Sequence, residues 1–188
     1  MKQILRATLV TLMISLPFAT ALADEYSDTK KMFTDAGISD MFKSAHGYAL
    51  FPTIGKAGFV VGGAYGKGRV YQGGMHVGDT SMTQASIGFQ IGGKGYSQVI
   101  FFQDKRALDD FSSGNFEFGA DAQATALTAA ATATANTAGN RASASGGKNN
   151  ADVASGGYNK GMATYVITKG GLMAEASIAG QKFSYTAK

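Results

Sequence analysis

The 188 residues carry 17 Lys or Arg against 13 Asp or Glu, a formal charge of +4, with 26 glycines, two histidines and no cysteine or tryptophan. A balance this even, with no basic run longer than Lys30-Lys31, excludes the clustered cationic footprint of a nucleic-acid-binding protein. The lack of cysteine excludes disulfides and thiolate metal sites, so burial and hydrogen bonding alone must hold the chain together.

The N-terminus reads as an export leader. Lys2 and Arg6 form a positive segment, Ile4 to Leu16 an apolar one, and Ala21-Leu22-Ala23 a small-x-small cleavage site. The apolar core is shorter than the ~20 residues that span a bilayer and is broken by Arg6 and Pro17. We therefore expect a signal peptide over residues 1–23 and a single domain over 24–188. Without Lys2 and Arg6, 15 basic residues face 13 acidic ones, and the charge falls from +4 to +2. Asp24 follows the expected cleavage site, where a lipoprotein needs cysteine, so the expectation is a periplasmic or envelope-associated protein that is not a lipoprotein.

From Tyr26 to Ala45, apolar residues at Met32, Phe33, Ala36, Met41, Phe42 and Ala45 fall at three- and four-residue spacing, interrupted at Asp35-Ala36-Gly37. This predicts two short helices, a helical cap over 24–46. Their apolar faces either cap a sheet or lie on a membrane with Lys30, Lys31 and Lys43 toward headgroups.

The chain then turns to a β-rich core over 47–188. Gly47 to Gly95 alternates aromatic and β-branched residues with glycines, predicting short strands at Tyr48–Phe51, Gly58–Tyr65, Gly68–Tyr71, His76–Gln84, Ser86–Ile91 and Tyr96–Phe102. The pairs Gly62-Gly63, Gly73-Gly74 and Gly92-Gly93 mark turns, bulges or tight contacts. Gly63-Ala-Tyr-Gly66-Lys-Gly68 reads as strand-turn-strand. Asp104 is a suitable N-cap for a short helix through Leu108 and Phe111, ended by Gly114. Phe116, Phe118, Ala120, Ala122, Ala124 and Ala126 then alternate with polar or small residues, predicting a strand with one buried face. Residues 138–157, rich in Gly, Ser, Asn and Ala, read as a long loop. Strands at Lys160–Thr168, Leu172–Ile178 and Gln181–Tyr185, separated by turns at Lys169-Gly170-Gly171 and Ala179-Gly180, complete the outline. The fold class is mainly β (α+β): an antiparallel sheet or barrel-like core of glycine-punctuated strands, with N-terminal helices and one internal helix.

The stretches FPTIGKAGFVVGGAYGKGRVY, GDTSMTQASIGFQIGGKGYSQVIFF, DKRALDDFSSGNFEFGADAQA and KGMATYVITKGGLMAEASIAGQKFSY closely resemble the lipid-binding SYLF family, also described as the actin-binding domain of a fungal endocytic protein. The resemblance runs from about Phe42 to the C-terminus. It implies a phospholipid-binding or membrane-associated module without known catalysis. Eukaryotic members are tied to phosphoinositides and actin, and bacterial members, the branch this chain resembles, are mostly exported. Phosphoinositide specificity does not transfer to an exported protein, and actin is not an expected partner in vivo.

No catalytic constellation competes with that reading. Gly88 to Lys94 has phosphate-loop spacing, but Gly95 stands where Ser or Thr must hold magnesium and a strand follows where a helix is needed. His46 and His76 have no motif-defined nucleophile or orienting acid. Asp109-Asp110 and Asn149-Asn150 with Asp152 lack an EF-hand pattern. No enzyme activity, metal or cofactor is expected. Lys56, Lys67 and Arg69, close to Tyr65 and Tyr71 in the glycine-rich block, are the candidate lipid contacts, pairing cations for phosphate with interfacial aromatics. The same cations are alternatively ordinary strand-end charges. The expected partner is anionic phospholipid or a membrane surface. The alternatives are a periplasmic structural or interaction module that forms homo-oligomers through its strand edges and, less favoured, a small outer-membrane barrel. The latter should carry aromatic girdles and apolar-out strands, which a chain without Trp and with an Ala/Thr run at 120–134 does not supply.

Overall fold

The computed structural model describes residues 18–58, 61–87, 95–120, 122–127, 157–168 and 176–188. Helix α1 (Phe18–Phe33) runs through the expected cleavage point. A wide turn at Thr34–Ile38, kinked where Gly37 takes φ +99°, leads into α2 (Ser39–Ser44). Two helices broken near Gly37 are what the spacing predicted, since that left-handed backbone costs glycine little.

Nine strands follow: β1 (Gly47–Gly58), β2 (Val61–Gln72), β3 (Met75–Ile87), β4 (Tyr96–Phe102), β5 (Phe116–Glu117), β6 (Gln123–Leu127), β7 (Met162–Thr168), β8 (Ala176–Ser177) and β9 (Gln181–Ala187), with α3 (Lys105–Ser112) after β4. They form one sheet in the order β5-β9-β3-β2-β1-β4-β7-β6-β8. Every pair is antiparallel except β6 with β7, which the purely antiparallel expectation did not include.

That order forces the sheet to curl. β8 and β9 lie seven strand intervals apart, roughly 34 Å in a flat sheet at ~4.8 Å spacing, yet only Ile178, Ala179 and Gly180 join them. Four extended steps cover at most about 14 Å. The same holds for β5 and β6, also at opposite ends and joined through residues 118–122. These two crossings pair with each other: Phe118 N donates to Gln181 O at 3.0 Å and Gly180 N to Phe118 O at 2.9 Å. The mainly β, barrel-like expectation therefore holds.

Several predicted breaks are not breaks. The strands expected at Gly58–Tyr65 and Gly68–Tyr71 are one strand, β2, and the strand-turn-strand reading of Gly63 to Gly68 is corrected. Gly66 and Gly68 face the concave side, where a Cβ would lie 2.6 Å from Ile54 Cγ1 and from Phe51 Cδ1 respectively. They make room for neighbouring side chains. Of the two glycine pairs among the described residues, Gly73-Gly74 turns the chain, both with positive φ in the two-residue β2–β3 hairpin, and Gly62-Gly63 lies within β2. β1 accommodates Pro52 at a bulge, where both partner strands shift register. The single strand predicted from Phe116 is instead β5 and β6 flanking a crossing. Its inward alternation survives in part: Phe116, Phe118, Ala122, Ala124 and Ala126 pack on the concave core, whereas Ala120, expected on the same face, is exposed within the crossing.

Both faces of the sheet are partly covered. The concave core gathers Phe51, Ile54, Val70, Met82, Ile100, Phe102, Ile178 and Phe183, and α3 closes one end with Ala107, Leu108 and Phe111. Asp104 caps that helix as predicted, accepting from Ala107 N at 2.8 Å, and Gly114 follows it at φ +86°. On the convex side, Phe33, Ile38 and Met41 of the helical segment cover Tyr48, Leu50, Val99, Phe101, Tyr165 and Ile167. The helices therefore cap the sheet. This explains why β4 and β7 are buried along nearly their whole length. The predicted loop at 138–157, except Gly157, the turn at 169–171, most of the strand ending at Ile178, the Gly92-Gly93 pair, the phosphate-loop-like stretch at 88–94 and the Asn149-Asn150-Asp152 cluster lie outside the described residues.

Candidate functional site

The pleat of β2 sends Ala64, Gly66, Gly68 and Val70 to the concave side and Tyr65, Lys67, Arg69 and Tyr71 to the convex one. The structure thus brings four of the five sequence-predicted residues into one stripe. Lys56 is not among them. It lies two residues beyond the buried Ile54 and opposite the buried Ala64, and its Nζ sits 5.1 Å from the centre of the Tyr96 ring, on the concave face.

The stripe changes character along its length. Tyr71 is stacked on Tyr48, centroids 5.0 Å apart and 19° from parallel. Arg69 lies over the Tyr26 ring of α1 at 4.2 Å, and Lys30 of α1 stands 5.3 Å from Phe42 and 5.4 Å from Tyr48. Burial pushes the Tyr26 phenol up to about 12 against the opposing pull of Arg69, and it raises Tyr71 as well. Arg69 is therefore occupied in holding α1 to the sheet, stacking a cation on an aromatic face, while Tyr71 stacks on Tyr48 of the neighbouring strand. Tyr26 and Tyr48 were missed by sequence reasoning, and Lys30, there a candidate for headgroups, stands instead over the Phe42 and Tyr48 rings. The helical spacing Tyr26, Thr29, Lys30, Phe33 was the available signal.

Past Arg69 the stripe opens to solvent. Tyr65 is 51% exposed and Lys67 is exposed with no carboxylate paired to it among the described residues. Register places Lys67 between Thr53 on β1 and Ser81 on β3, with Ser184 of β9 next in the row, its Oγ 2.7 Å from that of Ser81. The neighbouring row runs Gly55, Tyr65, Thr83, Lys182, and Lys182 is paired to Glu117 at 3.3 Å. Glu25 of α1 approaches this surface, accepting from Thr53 Oγ1 at 3.1 Å. The result is a hydroxyl-rich stretch of the convex face bearing an exposed phenol and an ammonium with no carboxylate partner among the described residues, able to offer hydrogen bonds and charge to an anionic group.

The histidines have local structural partners. His46 meets Gln72 through Nε2 at 2.9 Å, and His76 Nε2 faces both Gly78 O and Asp79 Oδ1 at 3.1 Å. Among the described residues no three His, Asp or Glu side chains gather in a way that could hold a metal ion, and no helix is long and apolar enough to cross a membrane.

The family described as Ysc84, Las17-binding protein actin regulator, matches residues 83–187, from within β3 to the end of β9. The chain belongs to the Ysc84 family. This is the SYLF family that the sequence resembles. No curated protein matches the chain. The Ysc84 match takes in Tyr96, Gln98, Gln181, Lys182 and Ser184, whereas Lys56, Tyr65, Lys67, Arg69 and Tyr71 precede it. The roles of those five rest on geometry.

Proposed function

We propose that this Ysc84-family chain is an exported, non-enzymatic module that engages anionic phospholipid peripherally, with Tyr65 and Lys67 as its contacts. The observation that carries the reading is the open half of the convex β2 stripe. There an exposed phenol and an unpaired ammonium stand side by side among hydroxyls, on strands rigid enough to present them without ordering a loop. A phenol at the headgroup level and an ammonium on phosphate are the two contacts a peripheral lipid-binding surface uses. The sequence supports export through its leader and supports peripheral binding through the absence of a cysteine to acylate. The actin partner in the family description is not carried over, because the leader directs the chain away from actin. Arg69, first grouped with the contacts, serves instead to seat α1, and Tyr71 stacks on Tyr48.

Co-flotation with neutral and anionic vesicles across a salt series, with mass spectrometry of co-purifying lipid, tests this. Salt-sensitive binding to anionic vesicles that is lost in Lys67→Glu and weakened in Tyr65→Ser is the expected result. Binding unchanged by both substitutions would remove the site. A stable oligomer with no vesicle association would favour the interaction-module alternative.

A further inference from the structure

We propose that Lys56, seated on the ring of Tyr96, is a receptor for a small oxyanion, a phosphate or carboxylate group, at the end of the curled sheet opposite α3. This goes beyond the convex-face reading, because the two sites lie on different faces and rest on different residues.

The argument begins with the pleat. Lys56 continues the concave series of β1 after Ile54, and Tyr96 opens the concave series of β4 that continues through Gln98, Ile100 and Phe102. α3 packs near Gly47 and Phe102, at the other ends of these two strands. Lys56 and Tyr96 therefore mark the far end. A lysine on a strand end usually extends its ammonium into water. Here Nζ folds back over a ring that is only 5% exposed.

Among the described residues no carboxylate pairs with Lys56, and burial lowers the pKa of its ammonium. The ring face attracts the cation but leaves its three N–H donors without a strong acceptor. A partly desolvated cation in this state is stabilised by any anion that reaches it, and more strongly than a fully hydrated lysine would be, because the local dielectric is lower.

The wall behind the cation is fixed. The Tyr96 hydroxyl accepts from Gln181 Nε2 at 3.0 Å, and Gln181 and Gln98 exchange amide hydrogen bonds at 2.9 and 3.1 Å. Both glutamines are fully buried. The phenol ring is thus held by a network that runs into the core, and the ammonium stands on it in a set position. Preorganisation of this kind lowers the ordering cost of binding. Lys67, by contrast, is exposed on the convex face.

The test uses the gene product purified as the cell delivers it, with its lysines converted to carbon-13 dimethyl-lysine and each resonance followed by NMR. Lys56→Arg, which is not dimethylated, assigns the Lys56 signal. The probes are inorganic phosphate, acetate, and a short-chain phosphatidylglycerol below its micelle concentration. The expected result is a saturable shift of the Lys56 resonance and of the Tyr96 amide, with the Lys56 titration midpoint moving upward when anion is bound. Lys56→Gln should abolish the Tyr96 shift, while Lys67→Glu leaves it intact. Saturation by free phosphate or acetate identifies a soluble anion as sufficient, whereas saturation by the lipid alone identifies a headgroup. A Lys56 signal that fails to move, or that drifts linearly in step with Lys67 in a chain with a folded amide spectrum, would overturn the proposal. Loss of vesicle binding in Lys67→Glu with the Lys56 shift retained separates this site from the convex one.

Discussion

Gln98 on β4 and Gln181 on β9 bond to each other across the interior of the curled sheet, although their strands are separated in the sheet by β1, β2 and β3. The pair is reciprocal, each amide donating to the other's carbonyl, and Gln181 also donates to Tyr96. Two fully buried amides satisfy one another only when both walls of the curl stand at the right separation. The pair therefore specifies closure as well as contributing to stability.

This makes a double-mutant cycle informative. Gln98→Leu leaves the Gln181 amide short of a buried partner, and Gln181→Leu strands both Gln98 and the Tyr96 hydroxyl. Each single change should cost about 1–3 kcal/mol, the penalty for an unsatisfied buried polar group, with Gln181→Leu the larger. The double replacement should recover part of the sum, giving a coupling energy visible in urea denaturation midpoints at constant m-value. Additive losses would mean that the amides do not depend on each other.

Gly66 and Gly68 offer a second test, because their role is room and not flexibility. A methyl at Gly68 would meet the Phe51 ring at 2.6 Å and the Leu50 carbonyl at 2.9 Å. Gly68→Ala should destabilise the protein by about 1–3 kcal/mol through overpacking. Gly55→Ala, on the same hairpin with nothing within 4 Å of its Cβ position, should be near neutral or slightly stabilising. Thermal unfolding of the pair distinguishes the two roles. Equal effects would return Gly68 to the status of a turn former.

These glycines also show where the sequence was legible and where it was not. Local signals translated directly. Asp104 three residues before Ala107, the break at Gly37, the Gly73-Gly74 turn and the inward positions of Phe116, Phe118, Ala122, Ala124 and Ala126 each act over a few residues and each was found, while Ala120 turned outward. What failed depends on residues far apart in sequence. Whether Gly66 turns the chain or admits Ile54 is decided by β1, and whether Phe116 to Ala126 forms one strand is decided by the crossing toward Gln181. The candidate site divides in the same way. Tyr65, Lys67, Arg69 and Tyr71 share parity within one strand and stayed together. Lys56 came from another strand beyond a bulge at Pro52, which places it on the opposite face. Arg69 could not be recognised as occupied, because Tyr26 lies 43 residues earlier in the chain.

The contact between Arg69 and Tyr26 should govern how firmly α1 lies on the sheet. Arg69→Gln removes the cation from above the ring while keeping much of the stem, and Tyr26→Leu keeps apolar bulk while removing the π face. Each should cost about 0.5–1 kcal/mol, in the range of a partly exposed cation–π pair. Hydrogen exchange over residues 26–33 should accelerate several-fold in either variant, while β4 and β7 remain protected. Unchanged exchange in α1 would show that Phe33, Ile38 and Met41 seat the helices without help from the stripe.

Tyr26 itself supplies a pH signature. Its phenol is raised from 10.0 to about 12, chiefly by burial, so the folded state retains a proton that the unfolded chain releases near pH 10. When the native state binds more protons than the unfolded state, stability falls as pH rises. The Tyr26 contribution is therefore fully present below pH 10 and is lost as the pH climbs from about 10 to about 12. Burial also raises the phenols of Tyr48, Tyr71, Tyr96, Tyr158 and Tyr165, so phenolate absorbance in the native protein should carry a late-titrating component that loses one tyrosine's share in Tyr26→Phe. The loss of stability over the same interval should be shallower in that variant. Arg69→Gln should move that share to still higher pH, because it removes the nearby cation that favours the phenolate. A shift to lower pH would mean that Arg69 acts on Tyr26 mainly by shielding it from water.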